Sequence, residues 1–238
     1  MGFYNFYMMS NPYYLIGTIF VLIAFFFSMY CQGRIKSAYS KYKQVPNHLG
    51  MTGAQLARQI LDSHGMSFMP VNPVNGELTD HFDPSNMLIN LSNDIYHGTS
   101  IAALAVAAHE CGHAIQHHEN YRPIMIRNSI VPVCNVSNYL GWIAIMIGLI
   151  FGYPTIAWIG FVLMLAILAF QLITLPVEFD ASKRGLAILK AHYLTADEYA
   201  GASSVLSAAA LTYVAATFAT LASMLRIFLV IASSSRRR

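Results

Sequence analysis

The sequence predicts a mainly α, polytopic membrane protein with about four transmembrane helices and a smaller α+β region beside the membrane. Its 238 residues are 56% hydrophobic and only 11% charged, whereas soluble domains average about 25% charged residues. The chain also contains apolar runs long enough to cross a bilayer as helices, which rise about 1.5 Å per residue. The net charge of +3 is too small to indicate binding of nucleic acid.

The apolar runs divide the chain into six segments. They are a transmembrane anchor (1–31), a polar region (32–128), a transmembrane hairpin (129–175), a short polar segment (176–202), a transmembrane helix (203–232) and a basic tail (233–238). The first run carries no lysine or arginine before Arg34. This favours an uncleaved anchor, because a signal peptide normally begins with positive charges. The turn signal "FGYP" separates the two helices of the hairpin.

The positive charges near the span ends predict which side of the membrane the polar segments face. Nine of them fall on one side: Arg34, Lys36, Lys41, Lys43, Arg122, Arg127, Lys183, Arg184 and Lys190. Cytoplasmic loops carry an excess of Lys and Arg, so this side is predicted to be cytoplasmic in a multi-pass protein of the cell membrane. The tail Arg236–Arg238 disagrees, because four spans would place it on the opposite side.

The first polar region carries three regular patterns. Apolar residues at helical spacing predict a helix over 51–65. Alternating residues after an Asp-Pro turn predict a strand at 87–92. A third pattern, rich in alanine, predicts a helix over 98–120 that Thr99 or Ser100 can cap. Strand and helices together predict an α+β region.

The helix over 98–120 contains "AVAAHECGHAIQHH", in which His109, Glu110 and His113 form an H-E-x-x-H motif. Residues i and i+4 lie on one helix face, so the two imidazoles can reach one zinc ion at about 2.0–2.1 Å. Glu110 lies roughly 100° round the helix and can act as general base toward a water that the metal activates. Polar residues in such an apolar helix need partners, and we therefore interpret the motif as a zinc site.

The neighbouring metal-binding residue types do not fit the same ion. His117 shares the face of His109 but lies about 12 Å along the axis, so it is interpreted as a supporting residue or one at the cleft edge. His118 is off that face and receives no role. Cys111 lies roughly 200° from His109 and is expected to pack in the core. The chain has three widely spaced cysteines, Cys31, Cys111 and Cys134. This odd number and wide spacing predict buried thiols and no disulfide framework.

A catalytic zinc usually has three protein ligands plus water, and the third is sought among the five glutamates. Glu110 is assigned as the base. Glu119 lies too far along the motif helix, Glu77 lies in a predicted turn, and Glu198 lies in the first turn of a predicted helix. Glu178 stands between apolar neighbours, just after the hairpin, in a helix that Pro176 would open. We favour Glu178 as ligand over a solvated partner of the helix dipole.

The stretches "LTDHFDP", "AVAAHECGHAIQ", "FQLITLPVEFDASKRG" and "AAALTYVAA" resemble the YugP-type membrane neutral zinc metallopeptidase family over most of the chain. More distantly the chain is similar to gluzincin membrane proteases, including the CaaX prenyl-protein endopeptidases and stress-response membrane proteases. The resemblance implies His109, His113 and Glu178 as ligands of one zinc ion and Glu110 as base, in agreement with the elimination. It also implies a zincin-like catalytic region.

One position departs from the wider E-x-x-A-D pattern of these distant relatives. In "EFDAS", Ser182 stands where they have an aspartate that would orient a ligand. Ser182 shares the helix face of Glu178, and Asp180 lies roughly 200° away from it, so either residue can support the site. Arg184 and His192 are candidates for stabilising an oxyanion, although surface or interface roles are commoner for such residues.

These patterns predict an integral-membrane zinc endopeptidase that acts on protein or peptide substrates in or near the bilayer. The strand at 87–92 is predicted to pair with an extended substrate by edge addition. Two other functions stay open: a structural or regulatory zinc site without turnover, and a transporter or assembly factor that carries the fold without chemistry. A structural site would need a fourth protein ligand, and an intact Glu110 speaks against both alternatives.

Overall fold

A computed structural model describes residues 12–235 of the chain. It is mostly helical, with one small sheet. The elements in chain order are α1 (Pro12–Lys43), α2 (Gly53–Ser63), β1 (Val71–Val74), β2 (His81–Asp83), β3 (Leu88–Ser92), α3 (Asn93–Tyr96), α4 (Ile101–His118), α5 (Arg122–Ile150), α6 (Pro154–His192) and α7 (Ala196–Ser235). Within the described residues, four helices are long and apolar enough to cross a membrane: α1, α5, α6 and α7. The predicted fold class is confirmed.

The chain forms two compact units, and four helices (α1, α5, α6 and α7) contribute residues to both. The first unit comprises the described residues up to Cys31, Ile126–Thr174 and those from Tyr213 onward. Its buried side chains include Ile145, Met164 and Ile231. Large apolar side chains such as those of Phe26 and Val162 are exposed in the isolated chain, as expected for helices that face lipid.

The second unit comprises Gln32–Met125 and Leu175–Thr212. Its three strands lie in the order β1-β3-β2. Strand β3 runs parallel to β1, with Val71 opposite Ile89, and antiparallel to β2, with Phe82 opposite Ile89. The strand predicted at 87–92 is therefore the central one. The prediction that a substrate pairs with this strand by edge addition is wrong, because β1 and β2 already occupy both hydrogen-bonding edges of β3.

Strands β1 and β2 were not predicted from the sequence. Strand β1 has four residues, one of them Pro73, and β2 has three. Such short segments contain too little alternation to be recognised by pattern. They form because the longer β3 offers a partner edge on each side.

Two helices of the second unit start at side-chain caps. The side chain of Thr52 accepts a hydrogen bond from the Gln55 N–H, and Gln55 accepts one from the Thr52 N–H, at 3.2 and 2.9 Å. This reciprocal pair satisfies two N–H groups that lack helical partners. Ser100, rather than Thr99, caps α4 by accepting from the Ala103 N–H. Helix α4 is buried on nearly all sides, because alanines let neighbouring elements approach closely.

Pro176 does not open a new helix, as the sequence had suggested. It lies inside the continuous helix α6, and the chain first leaves the helix after His192. A proline removes one backbone hydrogen bond, but membrane helices tolerate it because neighbouring groups satisfy the freed carbonyl. The turn predicted at "FGYP" is present, with Gly152 at φ +71°.

The tail Arg236–Arg238 and residues 1–11 of the anchor lie outside the described residues. The six-segment division and the cytoplasmic orientation stay predictions.

Candidate metal centre

Helices α4 and α6 approach each other within the second unit through two glycines. A Cβ atom on Gly112 would lie 2.5 Å from the Ala181 carbonyl oxygen, and one on Gly185 would lie 2.8 Å from the carbonyl oxygen of Ala108. Both distances are below any van der Waals contact, so only glycine permits this separation. The close approach turns the H-E-x-x-H face of α4 toward the turn of α6 that carries Glu178.

Three side chains converge between these helices. Oε2 of Glu178 lies 3.3 Å from Nε2 of His109 and 3.5 Å from Nε2 of His113. The three atoms all lie within 4.8 Å of one another. Glu178 is only 2% exposed and His113 only 7%. The structure thus brings together two residues one helical turn apart and a third residue 65 positions downstream of His113.

The two distances from Oε2 of Glu178 to the imidazole nitrogens fit a shared zinc ion. Tetrahedral ligands at about 2.0–2.1 Å from zinc stand about 3.3 Å from one another. Two imidazoles and one carboxylate also form a donor set that catalytic zinc sites use, with the fourth position open. Within the described residues no fourth His, Cys, Asp or Glu joins the group.

Glu110 lies beside this group but belongs to a different contact. Its Oε2 accepts a hydrogen bond from the backbone N–H of Phe82, in the outer strand β2, at 2.9 Å. The residue is 7% exposed, and burial raises the pKa of Glu110 to about 7 although His109 lowers it. A carboxyl with a pKa near neutrality can both accept and return a proton.

Gln116 was missed by the sequence analysis. Its Oε1 lies 3.1 Å from Nδ1 of His113, while its Nε2 donates to the Val177 carbonyl at 2.8 Å and to Oδ2 of Asp180 at 2.9 Å. The residue is fully buried. The available signal was its spacing, since i+3 residues meet on one helix face, together with an amide placed in an otherwise apolar helix.

Ser182 and Asp180 are each connected to a different histidine of the motif. Oγ of Ser182 lies 3.1 Å from Nδ1 of His109. Asp180 acts on His113 only through Gln116. Both residues that the sequence left open thus reach the histidines, Ser182 directly and Asp180 through Gln116.

The two oxyanion candidates lie elsewhere. Arg184 donates to Asp180 at 2.6 Å and to Glu119 at 2.5 Å, so its guanidinium is held by two carboxylates. His192 stands in the last turn of α6, about 21 Å along the helix from Glu178. Its ring packs at 6.2 Å against Tyr193.

The remaining residues of the motif helix lie where helix geometry predicted. His117 packs against Phe82 with ring centroids 5.6 Å apart. Cys111 is fully buried in the core, its Sγ 3.8 Å from the Ala57 carbonyl oxygen, and burial raises its pKa. The three cysteines are free and buried, as predicted. His118 ends α4.

Comparison with known proteins agrees with the geometry. Residues 17–232 match the family described as "Putative neutral zinc metallopeptidase". A curated relative from Bacillus subtilis (strain 168), named "Putative membrane protease YugP", is 43% identical over 204 residues, which cover 85% of this chain and 91% of the relative. No solved structure matches. The chain therefore belongs to the family described as "Putative neutral zinc metallopeptidase".

Proposed function

We propose that this protein is an integral-membrane zinc-dependent endopeptidase of the gluzincin type. His109, His113 and Glu178 hold one zinc ion, and Glu110 is the general base. The observation that carries the proposal is the position of Glu178 Oε2, 3.3 and 3.5 Å from the two Nε2 atoms of the motif. Glu110 stays outside this group and is oriented by a backbone N–H.

Zinc, when bound, would polarise the scissile carbonyl and lower the pKa of a water molecule toward neutrality. Glu110 removes the proton from the attacking water and later delivers it to the leaving amine, so one carboxylate serves both steps. The Phe82 N–H holds Oε2 of Glu110 and leaves Oε1 to accept that proton. Burial favours this role, because it keeps the pKa of Glu110 near 7.

The substrates are proteins or peptides in or beside the bilayer, and the site faces the cytoplasm. The membrane part of this proposal rests on four candidate spans and on the name of the bacterial relative. The orientation rests on the nine lysines and arginines that flank the spans on one side.

Cysteine labelling tests this orientation, since the native cysteines are buried. Tyr153→Cys, at the exposed hairpin tip, should react with a membrane-impermeant maleimide on intact cells. Lys41→Cys should react only after the cells are permeabilised. The reverse pattern would place the site outside the cytoplasm.

A structural or regulatory zinc site is the second candidate. It would need a fourth protein ligand, and the described residues supply three. Glu110→Gln in detergent-purified protein separates the two functions, with zinc content and peptide cleavage measured on the same sample. We expect full zinc content and cleavage at least about 100-fold slower.

Glu77→Gln is the matched control, because Glu77 is exposed and forms an exposed ion pair with Lys43. It should leave both quantities unchanged. Normal cleavage by Glu110→Gln would contradict the peptidase proposal, and loss of zinc would make Glu110 a ligand.

A further inference from the structure

A cavity lined by residues of α1, α6 and α7 lies in the second unit. Its volume is about 630 Å³. Three cations, Arg34, Lys183 and Lys190, line it together with apolar side chains such as Leu186 and Leu206. Pockets of this size accept small molecules or parts of larger ones.

The cavity carries uncompensated positive charge. No acidic side chain is among its lining residues in the part of the chain that the structure describes. Lys190 lies 5.5 Å from the ring centroid of Tyr199, which leaves its charge in place. The nearest carboxylate in sequence, Asp180, is held by Arg184 and Gln116. An anion is therefore the favoured occupant.

Several lining residues stand close to the ends of apolar runs of the sequence. Arg34 follows the anchor by three residues, Lys183 lies two helical turns beyond the hairpin, and Leu206 stands at the start of the last apolar run. Cations at such positions lie at the level of lipid headgroups, where anionic lipids attract them. An occupant there would have a charged end and an apolar body.

We propose that this cavity binds one anionic phospholipid. The phosphate lies among Arg34, Lys183 and Lys190, and the glycerol and upper acyl carbons pack on the leucines. Ser182, which contacts His109, forms part of the same wall, so the lipid lies beside the candidate metal centre. The proposal does not depend on peptidase activity.

Native mass spectrometry of the full-length protein in detergent tests lipid binding directly. Dilauroyl phosphatidylglycerol should remain bound where phosphatidylcholine with the same chains is lost. The double variant Lys183→Ala/Lys190→Ala should bind phosphatidylglycerol roughly thirtyfold more weakly, since each of the two interfacial cations contributes a factor of about five. Lys183→Arg/Lys190→Arg keeps the charge and should retain binding, which separates charge loss from misfolding.

The matched control is Lys36→Ala/Lys41→Ala, which removes two exposed charges from α1 outside the cavity lining. It should bind phosphatidylglycerol as the unmodified protein does. Glycerol 3-phosphate in tenfold excess should fail to displace the lipid, since it lacks the apolar contacts. Displacement by it would show a simple phosphate site and overturn the lipid assignment.

Two other results would also overturn the proposal. One is equal retention of the two lipids by the unmodified protein. The other is normal phosphatidylglycerol binding by the double alanine variant. If the double alanine variant bound phosphatidylglycerol normally but lost affinity for an acidic peptide that the unmodified protein binds, the cavity would be a polypeptide site.

Discussion

Gln116 and His113 are joined by a hydrogen bond of 3.1 Å that decides which ring nitrogen of His113 can bind a metal. The amide Nε2 of Gln116 already has two acceptors, the Val177 carbonyl and Asp180. Its Oε1 must therefore face the ring, and Nδ1 of His113 carries the proton. The lone pair is left on Nε2, which faces Glu178, and such outer hydrogen bonds commonly fix the tautomer of a metal ligand.

Gln116→Ala should lower zinc affinity by about 10- to 100-fold, because His113 loses the partner that orients its ring. The dissociation constant can be measured by competition with a chromophoric chelator. Gln59→Ala removes an exposed glutamine of α2 and should leave affinity unchanged. Equal affinities of the two variants would contradict a positioning role for Gln116.

Gly112→Ala should destabilise the second unit by about 1–3 kcal/mol and reduce zinc content. The added methyl would meet the Ala181 carbonyl oxygen at 2.5 Å, and a backbone atom cannot yield as a flexible side chain can. Gly33→Ala is the control, because its Cβ would meet nothing within 4 Å. Thermal unfolding and metal analysis check both variants, and a fully loaded Gly112→Ala protein would show that the helix separation is not critical.

Glu178→Ala should abolish the stabilisation that zinc confers. A ligand that binds only the folded state at 1,000 times its dissociation constant adds about 4 kcal/mol, so chelation should lower the melting temperature of the unmodified protein. The alanine variant should melt at one temperature with or without chelator. The control Glu77→Ala alters an exposed side chain, and chelation should lower its melting temperature as much as that of the unmodified protein. Retention of zinc at full occupancy by Glu178→Ala would refute its role as third ligand.

Asp80 should lower the stability of the folded protein increasingly as the pH rises, and Asp80→Asn should remove this pH dependence. Burial raises the pKa of Asp80 above its ordinary 3.8, although hydrogen bonds from Ser92 lower it. A raised pKa means that the contribution of Asp80 is most favourable below about pH 4 and is lost as the pH rises through the folded-state pKa. The melting temperature of Asp80→Asn should therefore gain on that of the unmodified protein between pH 4 and pH 7. A constant difference over this range would contradict the raised pKa.

Local sequence determined the spans, the main helices and half of the site. Apolar runs and alanine-rich periodicity depend on residues near one another, so the four membrane helices and the helix of His109 and His113 could be recognised without tertiary information. Glu178 could be predicted as the third ligand because the chain has only five glutamates. Pro176 misled the prediction, since a local rule for helix starts was applied where surrounding packing keeps the helix continuous.

Only the tertiary structure decided how the two halves of the site meet. The contact between Glu178 and the histidines depends on the close approach of α4 and α6 at Gly112 and Gly185, which no spacing within either helix encodes. The central place of β3 likewise depends on two strands too short to recognise alone. The H-E-x-x-H motif is set by the 3.6-residue period of one helix, whereas its third partner is set by packing between residues distant in the chain.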